Sequence, residues 1–212
     1  MNTIKAFVLG AAACCSLLSL GASSQEETGP APAYAGDGLT RPEHYREWVY
    51  LSTGFDMSYQ PNQKADHHMF DSVFVNPEAY RQFLKTGTWP DKTMLVLEVR
   101  GARERGSINK SGHFQDSAIM GLEVHLKDEA RFPGKWAFFA FGDKPVGELL
   151  PRTADCYSCH ADHAAVDTTF VQFYPTLLPI ATSKGTLSPA YRAEQVALAD
   201  PGVIRSKSPH PQ

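Results

Sequence analysis

The sequence predicts an α+β fold, mainly an antiparallel β-sheet with a few helices. Three observations carry that expectation. Leu122, Val124 and Leu126 alternate with Glu123, His125 and Lys127, the period-two pattern of a strand buried on one face. Trp136 to Phe141 is an unbroken apolar and aromatic run, which reads as a strand covered on both faces. Between strand-like stretches, Asn76-Pro77-Glu78 opens a helix whose buried face is Tyr80, Phe83 and Leu84, and Gly87 closes it.

The other elements follow in chain order. Met1 to Ser24 carries Lys5, a short apolar run and a small-residue end, the three-part layout of a secretory signal peptide. The apolar run is short for a membrane span, and no second one follows. An uncleaved anchor and lipidation at Cys14 or Cys15 are the alternatives. Residues 25–38 are rich in Pro, Gly and Ala and read as a flexible lead-in. Thr40-Arg41-Pro42-Glu43 has capping-box spacing, and Tyr45, Trp48 and Val49 continue it as a short helix. Val49 to Leu51, Asp71 to Val75 and Thr93 to Arg100 read as strands. In the last of these Leu95, Leu97 and Val99 share a side. Ser183 to Gln212 reads as a loosely ordered tail with one short helix at Pro189 to Ala199, which leaves a single folded domain at Leu39 to Thr182.

Cys156-Tyr157-Ser158-Cys159-His160 is the chemically distinctive run. C-x-x-C-H is the attachment signature of a c-type haem. Two thiols at this spacing each add to a vinyl group on one porphyrin edge, and the adjoining histidine lies under the iron as its axial ligand. A thioredoxin-like pair needs no histidine there and usually opens a helix in a βαβ unit, which this chain does not spell. A zinc site needs a second Cys or His pair. With Cys14 and Cys15 removed in the signal, Cys156 and Cys159 leave no thiol for a disulfide, and the expected compartment is the periplasm. The motif comes late, after several strands, unlike the layout of most small helical cytochromes.

The formal charge of −3 is mild and spread along the chain. It offers no basic footprint for nucleic acid and no polybasic membrane patch.

Several segments resemble the cytochrome P460 family, which includes the β-type cytochromes c′. They are Tyr45 to Trp48, Val73 to Tyr80, Gly87 to Thr93, Gly121 to Asp128, Gly134 to Phe139, Cys156 to His163 and Phe170 to Pro175. Together they span Leu39 to Ile180. The resemblance implies a homodimer with one covalent haem c per chain, held by Cys156 and Cys159 and ligated by His160. It implies an open distal side for a small ligand such as NO, CO or hydroxylamine, with a redox protein as a further partner. Members that oxidise hydroxylamine join a lysine to the porphyrin rim, and the β-type cytochromes c′ do not. Here the strand that carries such a lysine reads Thr93-Met94-Leu95-Val96-Leu97-Glu98-Val99 and holds none. Lys92 and Lys110 lie outside it.

Glu123 is the candidate for a distal proton relay, as in the family's enzymatic members, against a plain solvent-facing role by strand alternation. His125 shares its face. His163 reads as a neighbour of the haem edge. His67, His68, His113, Met57, Met69, Met94 and Met120 are candidate sixth ligands, which would make a six-coordinate electron-transfer cytochrome c the alternative function. Phe55, Phe70, Phe74 and Phe114 are candidates for an aromatic lid, and Arg81 and Arg100 for propionate partners.

Overall fold

The computed structural model describes residues 31–58 and 67–199. The expected signal segment and the last residues of the expected tail lie outside the described residues. Eight strands form one sheet in the order β1-β2-β8-β7-β6-β5-β4-β3, and every pairing is antiparallel. The strands are β1 (Tyr34–Ala35), β2 (Gly38–Thr40), β3 (Val49–Phe55), β4 (Met69–Val75), β5 (Met94–Arg103), β6 (Phe114–Lys127), β7 (Trp136–Ala140) and β8 (Val146–Leu149). The helices are α1 (Pro77–Thr86), α2 (Asp155–His163), α3 (Leu178–Lys184) and α4 (Pro189–Ala199). The α+β expectation holds.

Period two sorts the sheet into two faces. Val75, Leu95, His125 and Phe138 stand in one row across β4 to β7. Phe74, Val96, Val124 and Phe139 form the adjoining row on the opposite face. The first face meets the helices. Its core joins Val75 and Leu95 to Phe83 of α1, Trp89, Val171, Ala181 of α3 and Tyr191 of α4. Burial of each large apolar side chain here contributes roughly 1.5–3 kcal/mol. Tyr191 shows that the helix expected at Pro189 to Ala199 is part of the packed structure.

The second face has a core of its own, with Leu39, Trp48, Met94, Leu122, Leu126 and Phe139. It is closed by the chain itself. β2 lies near one edge of the sheet and β3 is the other edge, so residues 41–48 must cross this face. That crossing corrects the helix expected after Thr40. Only the single 3-10 turn Tyr45–Glu47 forms, and His44 precedes it in a left-handed conformation with φ of 54°. Tyr45 is buried, packs edge-on against Phe74 and donates its hydroxyl proton to Glu98. Glu98 also accepts bonds from Arg46 at 3.0 and 2.7 Å and from Arg100. Burial alone raises the Glu98 carboxyl, but the donors Arg100, Tyr45 and Arg46 outweigh it and hold the group below its usual range.

Helix α1 starts and stops where expected, yet Asn76 does not cap it through its side chain. Its Oδ1 accepts the Met94 N–H at 2.8 Å, tying the helix entry to β5. Gly87, at φ of 75°, ends the helix by donating to Phe83 at 2.7 Å. Leu84, expected on the buried face, is exposed, and Ala79 with Phe83 takes its place. The end of the lead-in is not loose: Tyr34–Ala35 forms β1 and Gly38 begins β2, because β8 offers β2 a partner.

Candidate functional site

A cavity opens between the first face of the sheet and the segment that runs from α2 to α3. It contains about 850 Å³ of empty space, some of it open to solvent. Leu95, Leu97, Val73, Phe138, Phe170 and Phe173 supply apolar walls. His160 reaches in from α2, and Glu123, Asp71 and Met57 also line it.

The setting of His160 is built from the chain outward. Its Nδ1 donates to the carbonyl oxygen of Thr168 at 2.7 Å, which leaves Nε2 as the free nitrogen. Phe170 packs on the ring at 4.1 Å between centroids and Phe138 meets it edge-on at 4.7 Å. Burial lowers the imidazole's affinity for protons, while the Thr168 bond acts against that. The accepting turn is itself fixed, since Thr169 Oγ1 donates to Val166 and accepts the Trp89 indole N–H at 2.7 Å. At the start of α2, Tyr157 donates to Leu150 and accepts the Phe138 N–H, both at 3.2 Å, so the helix is tied to β7.

Cys156 and Cys159 are free, half-buried thiols on α2. Cys159 opens on a neighbouring surface hollow that shares Phe170 and Phe173 with the cavity. Burial, then Asp162 and Cys156, push the Cys159 thiol up. That is the reverse of an activated redox cysteine. Among the described residues, the donor side chains close enough to share a metal ion are His68, Glu104 and His113, not the two cysteines. The donor set therefore fits haem c: two thiols and an imidazole on one short helix, beside an apolar cavity, with the second ring nitrogen already engaged.

Glu123 is exposed, as strand alternation expects, but the surface it faces is the cavity mouth, whereas His125 is buried and departs from its expected solvent-facing role. Leu97 and Glu123 pair across β5 and β6 on the cavity face, so Glu123 opens into the cavity. Burial, and then the charge of Asp71, raise its carboxyl above the ordinary range. Asp71 is raised as well, by burial and then by Asp56. Asp71 was missed from the sequence, although it shares a strand face with Val73 and Val75, and an acid on an apolar face is a signal. His125 is buried, stacked on Phe138 at 4.0 Å and 5.0 Å from the His160 ring. Burial, then His160, hold it well below its ordinary value.

The other candidates disperse. Of the possible sixth ligands only Met57 lines the cavity, and Met94 is buried in the core of the opposite face. Phe55, Phe70, Phe74 and Phe114 do not line it, and its aromatic walls are Phe138, Phe170 and Phe173. Arg100 serves Glu98, Arg81 pairs with Glu78, and His163 sits 3.6 Å from Glu194 of α4. No lysine lines the cavity among the described residues. Lys92 is engaged by Asp128, and Lys110 is exposed in the connection from β5 to β6.

No curated protein matches the chain. The profile of the family described as Cytochrome P460 matches residues 42–171, from the segment that crosses the second face through the Cys156 to His160 run. The chain belongs to the cytochrome P460 family, which implies a haem cofactor.

Proposed function

We propose that this chain is a periplasmic, mono-haem c-type cytochrome whose open distal site binds a small nitrogen oxide, NO above all. Cys156 and Cys159 would hold the haem through thioethers, and His160, whose Nδ1 is given to Thr168, would ligate the iron. The observation that carries this reading is the His160 ring in an apolar cavity with Nδ1 already given to Thr168. When bound, the haem supplies an iron with a coordination position for the ligand.

The chain's own groups set the selectivity. The apolar walls Val73, Leu95 and Leu97 favour a small uncharged ligand over water or anions. Leu95 and Leu97 stand on the strand where hydroxylamine-oxidising members carry the joining lysine, which supports an uncross-linked haem. Glu123 and Asp71, both raised, hold protons closer to neutrality than ordinary carboxyls and serve as the proton store beside the ligand. The homodimer and an electron-donating protein partner belong to the same proposal. Met57 on the cavity wall favours one second reading, a six-coordinate His and Met electron carrier.

The test is the absorption spectrum of purified, dithionite-reduced protein before and after NO. A high-spin ferrous spectrum with an ordinary Soret band and ready NO binding supports the proposal. A strongly red-shifted Soret band reveals a cross-linked porphyrin and favours hydroxylamine oxidation. A low-spin spectrum indifferent to NO, turned high-spin by Met57→Ala, establishes the electron carrier instead. Loss of covalently bound haem in Cys156→Ala and Cys159→Ala tests the attachment separately.

A further inference from the structure

A second group of donor side chains gathers away from the cavity lining. Asp56 follows β3, His68 precedes β4, and Glu104 and His113 stand in the connection from β5 to β6. One donor atom from each of His68, Glu104 and His113 lies within 4.8 Å of the other two. His113 Nε2 and Glu104 Oε1 are 3.5 Å apart.

The histidines are oriented before any ion arrives. Asp56 Oδ2 bonds Nδ1 of His68, and its Oδ1 accepts the Met69 N–H at 2.9 Å, so the carboxylate is anchored on the backbone. A carboxylate on Nδ1 keeps the proton there and presents Nε2 as the donor, the arrangement found behind metal-bound histidines. Phe55 stacks on the His68 ring at an interplanar angle of 17° and packs on the His113 ring at 5.0 Å. The two imidazoles lie 4.7 Å apart between centroids.

We propose that His68, His113 and Glu104 bind one divalent transition cation of the zinc type, with Asp56 as the positioning carboxylate of His68. Two imidazole nitrogens and one carboxylate oxygen form a three-ligand set with an open position, which suits zinc. Calcium and magnesium prefer all-oxygen sites. Donors about 2.0–2.1 Å from one zinc ion stand about 3.3 Å apart. Glu104 and His113 already meet that spacing, and the exposed Glu104 side chain is free to follow the ion as His68 closes in. The bound ion would join the end of the β3–β4 hairpin to the β5–β6 connection. This site is independent of the haem reading.

The test uses the tag-free, haem-loaded full chain, freed of metal with a chelator, incubated with zinc chloride and passed through gel filtration. Zinc is counted by mass spectrometry and the melting temperature is read with and without the ion. One zinc retained per chain, with a rise in melting temperature, is the expected result. His68→Ala and His113→Ala lose both the zinc and the rise, while their haem absorption stays as in the wild type. Asp56→Asn weakens binding by about tenfold or more, measured by calorimetric titration. No retained zinc in the wild type, or zinc retained equally by both histidine variants, overturns the proposal.

Discussion

The Nδ1 of His160 and the carbonyl oxygen of Thr168 are 2.7 Å apart, and that bond ties the cavity's imidazole to the turn that follows its helix. The turn is held by the Trp89 indole, which donates to Thr169. A residue from the loop before β5 therefore aims a side chain on α2.

Trp89→Phe keeps the aromatic bulk and removes the indole donor. The expected cost is about 1 kcal/mol for one buried hydrogen bond, read by urea unfolding. Because the turn also aims His160, the iron–histidine stretch in the resonance Raman spectrum of the haem-loaded protein should shift. An unchanged stretch beside the lost stability would confine Trp89 to packing.

Glu98 gives a prediction on the opposite face. Its folded-state pKa is depressed, so its contribution to stability is complete above the ordinary value of 4.5. It fades as the pH falls below that value and through the depressed one. Glu98→Gln should cost about 3 kcal/mol at neutral pH, at the lower end for a broken buried ion pair because Arg46 is half exposed. Urea midpoints of the two proteins should converge on acidification. Parallel midpoints down to strongly acid pH would contradict the assignment.

Glu123 carries the opposite sign. Its folded-state pKa is raised, so the folded state holds the proton more tightly and stability declines as pH rises from 4.5 through the raised value. Glu123→Gln should therefore be more stable than the parent at neutral pH, with the gain vanishing in acid. Thermal melts across that range check it. The same substitution should leave NO affinity within a few-fold while altering any proton-coupled turnover.

Gly147 is sterically required in β8. A Cβ there would fall 2.7 Å from a carbon of the Phe141 ring. Gly147→Ala should cost roughly 1–3 kcal/mol, the usual range for overpacking, in thermal or urea unfolding. A neutral outcome would mean that Phe141 can move aside within its core.

The strands β4, β5 and β7, the second half of β6 and the helix α1 are legible because period two and capping are local signals. The small strands β1, β2 and β8 are not, since pairing with distant partners defines them. The capping box at Thr40 misled for a similar reason. The chain must cross a sheet face there, and burial of Tyr45 and Trp48 overrides local helix preference. At the site, the spacing of Cys156, Cys159 and His160 was plain. Alternation put Glu123 and His125 on one face, but no local pattern tells an internal cavity from solvent. The Thr168 and Trp89 supports of His160 were beyond reach, because they depend on a turn closing against another part of the chain.

The crossing of the second face also sets an order of assembly. Chain synthesis delivers β2 early, yet its partner β8 arrives only with Val146 and Gly147. Through most of elongation the β2 edge stays bare, and closing so long a loop makes this pairing late and slow. β2 is only three residues long, so while it waits it offers other nascent chains little to grip. The last strand of the sheet is delivered just ahead of the helix that bears Cys156 and Cys159, so the two thiols emerge while that slow pairing is still to be made.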